Sequence, residues 1–250
     1  MKERKIHPEL LMKVRKRLTF KFMHFGDTHL GRKHPNSLKK KRVETGIRAF
    51  EHCIQKAVEE DVDFIIHAGD FFDREHPWHS VIEAARQKMK PLEENEIPMY
   101  VIRGNHDRSF GQDRMLKGIA IEHLENEYVH LLDPQPEKFG SEPVNESGAT
   151  IHGLGYQSDS ASGILKQFEP EGDFNLLIMH DFVDGVTRKF SENVPRAEDI
   201  AAGGWDYVAI GHDHQPVPKR VVDGTVFAAT GGITDYDYNR EEFGKFLNIV

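Results

Sequence analysis

Short apolar runs separated by helical periodicities organise this chain. Phe20 to Phe25, Phe64 to Ala68 and Met99 to Ile102 are too short for helices and apolar almost throughout, so they predict parallel strands buried on both faces. Between them Val43, Ile47, Phe50, Ile54 and Val58 recur at helical spacing and predict a helix to about Glu60. Val81, Ala84, Ala85, Met89 and Leu92 predict a second helix over Ser80 to Glu94. Arg32 to Arg42 is polar and basic around Pro35-Asn36-Ser37, and reads as a mobile loop. The middle of the chain carries less signal. Residues 133–149, with Pro134, Pro136, Gly140, Pro143 and Gly148, read as loop, followed by a strand over Ala149 to His152 and a short helix over Gly163 to Phe168. Leu176 to Met179, Tyr207 to Ile210, Val226 to Ala229 and Phe246 to Val250 are expected as later strands. The recurrence of strand, loop and helix predicts a right-handed α/β unit whose chemistry gathers at the carboxyl ends of its strands. No internal repeat or low-complexity segment interrupts it.

The polar residues at those strand ends point to metal chemistry. Asp27 and His29, Asp70 and Asp73, Asn105 and His106, His180, and His212 and His214 each follow an apolar run. In a chain with 15 histidines one Asp-x-His carries little weight. Five such stretches, all placed at strand ends, bring hard oxygen and borderline nitrogen donors together as a two-metal hydrolase requires. Two ions acting on one phosphate need a bridge, which a carboxylate can supply and a neutral imidazole cannot; Asp70 is the best placed. His212 and His214 are two residues apart, so facing one cluster requires a break in strand alternation, expected at Gly211. Gly26, Gly69 and Gly104 suit tight turns before a ligand. His24 and His67 lie inside strands and are expected to pack, while Asp213 shapes the last turn.

Composition narrows the setting. At 250 residues the chain can bury a substantial core as one α/β domain, although two are possible. Its single cysteine excludes an internal disulfide framework and makes a reducing, cytoplasmic location the default, with Cys53 a small buried hydrophobe. No run is long enough to span a membrane. The net charge of −8 conceals an asymmetry, because residues 1–42 hold 14 Lys or Arg against 3 Asp or Glu. A basic N-terminal extension over residues 1–18 has Ile6, Leu10, Leu11, Val14 and Leu18 on one helical face, and either packs on the domain or stands in solvent. Arg32, Lys33, Lys39 to Arg42, Arg103 and Arg108 are the local candidates for phosphate contact.

Three longer stretches carry a resemblance: Phe25-Gly-Asp-Thr-His-Leu-Gly31, Val62-Asp-Phe-Ile-Ile-His-Ala-Gly-Asp-Phe-Phe-Asp73, and Ile97-Pro-Met-Tyr-Val-Ile-Arg-Gly-Asn-His-Asp-Arg108. They resemble the calcineurin-like metallophosphoesterases, and within them the SbcD and Mre-type nuclease subunits of DNA break repair. Leu30-Gly31, Arg108 and Thr230-Gly-Gly-Ile-Thr-Asp235 favour that branch, which covers about residues 20 to 250. The resemblance implies an α/β four-layer sandwich of two mixed β-sheets flanked by helices, with residues 19–250 as the nuclease domain. It implies two divalent ions, Mn²⁺ first with Fe²⁺ or Zn²⁺ admissible: Asp27, His29 and His214 on one, Asn105, His180 and His212 on the other, and Asp70 bridging. His106 is implied as transition-state stabiliser and proton donor, oriented by Asp73, with Arg32, Lys33, Arg108 and Thr234 near substrate. An aspartate at position 73, where archaeal Mre-type nucleases often carry histidine, departs from that subtype. DNA ends and single-stranded DNA are the implied substrates, for 3′-to-5′ exonuclease and single-strand endonuclease action. The implied partners are a second copy, through Ser80 to Glu94 and Phe110 to Leu116 with Trp78, Val81, Met89, Met115 and Leu116, and, in a full-length protein, an SMC-like ATPase, whose docking and capping regions are not expected within residues 1–250. Nucleoid association follows in a prokaryote. A phosphoesterase acting on cyclic nucleotides, nucleotides or phosphoproteins, and a catalytically silent DNA-end scaffold, stay open as alternatives.

Overall fold

The computed structural model describes residues 20–108, 120–132, 140–144, 148–157, 161–166, 168, 170, 172–188, 194–234 and 248–250. The expected N-terminal helix, the segment Phe110 to Leu116 with Met115 and Leu116, and Asp235 lie outside them.

Two mixed sheets face each other. In the first, β1 (Phe22–Phe25), β2 (Phe64–His67), β3 (Met99–Val101) and β4 (Val129–Leu131) run parallel, and β11 (Asn248–Ile249) pairs antiparallel beside β1. In the second, β6 (Ala149–Leu154), β7 (Phe174–His180), β8 (Tyr207–Gly211) and β10 (Thr225–Ala229) run parallel, with antiparallel β5 (Gly140–Val144) and β9 (Val217–Val222) at the two edges. Alternation along each strand divides the core three ways. Phe22, Phe64, Ile66 and Ile102 meet Ile151, Ile178, Tyr207 and Ala209 between the sheets. Met23, Phe25 and Ile65 turn outward, beneath α1 (Lys39–Glu59) and α2 (His79–Glu94), which bury Phe50, Cys53, Ile54, Val81, Ala85 and Met89. On the far side Leu177, Met179, Val208 and Phe227 lie under α3 (Ser162–Leu165) and α4 (Ala197–Ala201). The result is the four-layer sandwich expected from the resemblance. Among the described residues no helix is long and apolar enough to cross a membrane.

Several expectations are corrected. The loop over Arg32 to Arg42 ends early, in a 3-10 turn at Asn36–Leu38, and α1 begins at Lys39 because its first turn is solvated and shows no apolar period. Part of the expected loop at 133–149 is β5, whose Pro143 and Gly140 are tolerated because it is an edge strand. Val81 and Met89 are only 3% exposed and belong to the monomer core, so they are not available to a second copy.

His24 and His67 are buried without full hydrogen bonding, which sets an acid limit on the fold. His24 Nδ1 lies 3.1 Å from the Tyr207 hydroxyl and His67 Nε2 lies 3.2 Å from Thr28 Oγ1, leaving one nitrogen of each ring unpartnered. Burial, aided by Lys219 at His24 and by His180 at His67, holds each ring down at about 3. The unfolded chain binds these protons first. Their stabilising contribution is therefore complete above pH 6.5 and lost as pH falls toward 3, by up to about 1.4 kcal/mol per pH unit for each ring. Urea unfolding at pH 7 and pH 5 should show this loss, and His24→Leu should flatten it, since Tyr207 also bonds Asn248. A pH slope unchanged by His24→Leu would assign the acid sensitivity elsewhere.

Candidate metal centre

Both sheets deliver their parallel strands to one end of the sandwich. Asp27 and His29 follow β1, Asp70 follows β2, Asn105 follows β3, His180 closes β7, and His212 and His214 follow β8. Two glycines let the sheets close there. A Cβ at Gly211 would enter the Ala68 carbonyl and the His180 ring, and one at Gly104 would enter the Asp70 carboxylate and amide. Asp27, His29, Asp70 and His212 themselves take positive φ, at 49°, 42°, 52° and 80°. Such a conformation costs about 1–3 kcal/mol at a non-glycine residue and persists where surrounding structure enforces it, as at functional sites. At His212 it supplies the break in alternation that turns His212 and His214 to one side. The break expected at Gly211 thus falls one residue later, while Gly211 ends β8 in register with His180.

The donors form two groups joined by one carboxylate. Ligand atoms of Asp27, His29, Asp70 and His214 all lie within 4.8 Å of one another. His29 Nε2 is 3.1 Å from His214 Nε2 and 3.5 Å from Asp70 Oδ2. In the second group Asn105 Oδ1 is 3.1 Å from His180 Nε2 and 2.9 Å from His212 Nδ1, and His180 Nε2 is 3.4 Å from Asp70 Oδ2. Asp70 Oδ2 is buried between the His29 and His180 rings, whereas Oδ1 accepts from the His106 amide at 2.8 Å. The Ala68 carbonyl accepts from His180 Nδ1 at 2.7 Å, which keeps that proton away from Nε2 and aims Nε2 at the cluster.

The electrostatics call for cations at this point. Burial pushes the Asp27 carboxyl up to about 7, against the pull of His180. Burial also holds His29 well below the ordinary histidine range, and puts His212 at about 3 and His214 at about 4, so these rings are neutral donors. His180 behaves oppositely. Burial lowers it, but the Asp70 charge outweighs burial and raises it to about 9. A buried carboxylate between His29 and His180, with the neutral rings of His212 and His214 and an amide oxygen beside it, is a donor set that fits two divalent ions, which would take the place of the His180 proton. Asp27, His29 and His214 would hold one, Asn105, His180 and His212 the other, and Asp70 both.

Around the donors are residues whose work is to hold loops. Asp107 carries no signal of its own in the sequence, yet its buried carboxylate accepts from the amides of Phe71 (2.9 Å), Phe72 (2.9 Å) and Gly104 (3.0 Å), tying the Asp70 loop to the Asn105 loop. Asp107→Ala leaves three amides without that acceptor, at about 1–3 kcal/mol for each buried group. A loss of about 3 kcal/mol or more in urea unfolding is expected; a loss below about 1 kcal/mol would show that other acceptors replace it. Asp213 shapes its turn as expected, accepting from the Gln215 amide at 3.2 Å and from Arg188 Nη2 at 2.7 Å. Tyr156 and Phe182 flank His212, at ring separations of 5.5 and 4.5 Å. Tyr156 ends Gly153-Leu154-Gly155-Tyr156, a stretch that resembles a family loop near the active cleft, whereas Phe182 has no sequence signature.

His106 and Asp73 are brought together, by an unexpected atom. His106 Nδ1 donates to the main-chain oxygen of Asp73 at 2.9 Å, and the Asp73 carboxylate faces Arg32 Nη1 at 3.1 Å. Asp73 thus orients His106 through its carbonyl, because its side chain points across the loop toward Arg32. Arg108 lies close enough to Tyr156 to act on its hydroxyl. The loop at Thr230 to Thr234 runs beside the first donor group through the Gly26–Gly232 bridge and the bond from the Gly232 amide to the His214 carbonyl at 3.3 Å. Lys33 lies on the Trp78 ring. Arg103 does not join the rim: it is 6% exposed and paired with Glu122 at 2.8 Å.

A family model of the calcineurin-like phosphoesterases matches residues 20–216, the span that holds every donor. The chain belongs to this family. Among curated proteins the phosphoesterase is 28% identical over 244 residues to the DNA double-strand break repair protein Mre11 of Methanococcus maripaludis, covering 90% of this chain and 62% of that one. It is 29% identical over 231 residues to Mre11 of Methanocaldococcus jannaschii, covering 88% and 58%. The phosphoesterase chain therefore spans about three fifths of the length of these relatives. The fold recurs in a protein of Thermus thermophilus (TM-score 0.51, 11% identity, 85% and 89% of the two chains). It recurs also in a dimetal phosphatase from Danio rerio (TM-score 0.50, 12% identity, 85% and 87%).

Proposed function

We propose that this phosphoesterase is the catalytic domain of an SbcD/Mre-type nuclease, cleaving DNA phosphodiester bonds as a 3′-to-5′ exonuclease and single-strand endonuclease with Mn²⁺. The observation that carries the reading is Asp70 Oδ2, buried and placed 3.5 and 3.4 Å from His29 and His180 of the two donor groups. In-line phosphoester displacement by two metals about 3.5–4 Å apart needs one ligand common to both. The similarity to Mre11 proteins supports DNA as the substrate. Mixed imidazole, amide and carboxylate donors suit Mn²⁺, with Fe²⁺ and Zn²⁺ admissible. When bound, the metal pair supplies polarisation of the phosphate and lowers the pKa of a water.

The chain's own residues bind, orient and move protons. Because the Asp73 carbonyl accepts a hydrogen bond, His106 Nδ1 carries a proton, which leaves Nε2 as the atom to serve the leaving sugar oxygen. Donation from Nε2 requires the doubly protonated ring. Arg32, Lys33, Arg108 and Thr234 bind the strand's phosphates and sugars, contacts that do not read sequence. A second copy of the chain and an SMC-like ATPase are the protein partners of this reading.

Assay of the purified chain with Mn²⁺, Fe²⁺, Zn²⁺ or Mg²⁺ on single-stranded DNA, duplex DNA with 3′ ends, cyclic nucleotides and phosphomonoesters tests the proposal. Mn²⁺-dependent DNA cleavage is expected. Hydrolysis of monoesters or cyclic nucleotides without DNA cleavage would identify a small-substrate phosphoesterase. DNA binding by metal-loaded protein without any turnover would identify a scaffold.

A further inference from the structure

The described surface exposes three large hydrophobic residues, and Trp78, at 51%, is the only aromatic one. It sits just before α2, where its carbonyl accepts from the Val81 amide at 2.8 Å. Cations surround the indole. Lys33 Nζ is 2.8 Å from the ring centroid and Lys39 Nζ is 5.8 Å from it, and Arg74 is near enough to act on the Lys33 ammonium. A cation–π contact explains why Lys33 stays on the ring. It does not explain an indole half in solvent beside two further basic residues.

The position links this patch to the metal centre. The segment after His29 runs alongside the segment after Asp70, through the Leu30–Phe72 bridge, the Arg32–Asp73 ion pair and the Lys33–Trp78 contact. Lys33 is four residues from His29, a reach of at most about 14 Å. That span is within the reach of the nucleotides that flank a phosphate held at His106.

We propose that Trp78 is a stacking platform for an unpaired base of the substrate strand, with Lys33, Lys39 and Arg74 holding the flanking phosphates. The proposal rests on the nuclease reading and adds to it a preference for single strands, because a paired base has no face to offer. Aromatic platforms bordered by cations bind single strands in this sequence-tolerant way.

Tryptophan fluorescence isolates the residue, since the chain has two tryptophans and Trp205 is 3% exposed. The full chain, with metal chelated to prevent turnover, is titrated with an oligothymidine while anisotropy of the labelled strand reports binding independently. Saturable quenching that tracks binding is expected. Trp78→Ala should weaken single-strand binding by on the order of tenfold, leave duplex binding within about twofold, and leave Mn²⁺ content unchanged; Trp78→Phe should retain most of the affinity. Binding without quenching, or equal single-strand affinity in Trp78→Ala and the parent chain, would overturn the platform. If the Mn²⁺-loaded parent chain cuts single-stranded DNA, either result overturns the platform alone. If it neither binds nor cuts, the nuclease reading falls and the platform with it.

Discussion

Replacement of Asp70 by alanine removes metal-dependent phosphoester hydrolysis, lowering the rate by more than about a thousandfold. Asp70 Oδ2 meets both donor groups, so its loss separates two half-sites instead of weakening one. Alanine also loses the acceptor for the His106 amide and sits poorly at a φ of 52°. Asp70→Asn is therefore the companion variant: it keeps an oxygen for that amide and tolerates the left-handed conformation, but removes the charge. In the metal-free protein the Asp70 carboxylate is stabilised by the His180 ring that it raises to about 9, 3.4 Å away, so metal-free Asp70→Asn should unfold earlier than the metal-free parent. Adding Mn²⁺ should raise the parent's unfolding temperature by mass action and leave the variant's unchanged. Equal Mn²⁺-induced shifts in both proteins would mean that Asp70 is not the shared ligand.

The donors were legible in sequence because buried parallel strands are short, uniformly apolar and easily located. Whatever polar residue ends such a run stands at the mouth of the sheet. This places Asp27, His29, Asp70, Asn105, His180, His212 and His214 at strand ends beside Asp73 and His106, the family resemblance separates these seven as ligands, and the structure brings all seven together. Edge elements were harder. β9 is Val-Pro-Lys-Arg-Val-Val, mostly in solvent, and its pairing with β10 follows from a neighbour and not from its own periodicity. The same distinction runs through the site. Asp107 and Asp213 resemble any turn aspartate until the amides they accept from are in place. At Asp73 the sequence points to the carboxylate, but which of its oxygens meets His106 depends on loop torsions that residue identity leaves open.

That distinction shapes the expected behaviour of His106. His106→Ser should leave both metal sites and the fold in place and reduce DNA cleavage by roughly two to four orders of magnitude, the range for a positioned acid–base group. The residue is held at three points: its main-chain amide donates to Asp70 at 2.8 Å, ring Nδ1 donates to the Asp73 carbonyl at 2.9 Å, and the ring meets that of His29 at 4.6 Å between centroids. Serine keeps the amide bond to Asp70 and loses only the imidazole. Asp73→Asn keeps the carbonyl, so it should slow turnover by less than about tenfold, the loss coming from the Arg32 pair and not from the orientation of His106. The leaving group separates proton donation from other roles. A nitrophenolate leaves without a proton and a sugar alkoxide does not, so the deficit of His106→Ser should shrink on bis(p-nitrophenyl) phosphate relative to DNA. Cleavage of both substrates is measured at saturating Mn²⁺, beside the bound-metal content of each variant. An equal deficit on both would make His106 a binder of the phosphate, full DNA cleavage would remove it from the reaction, and loss of bound metal would recast it as a ligand.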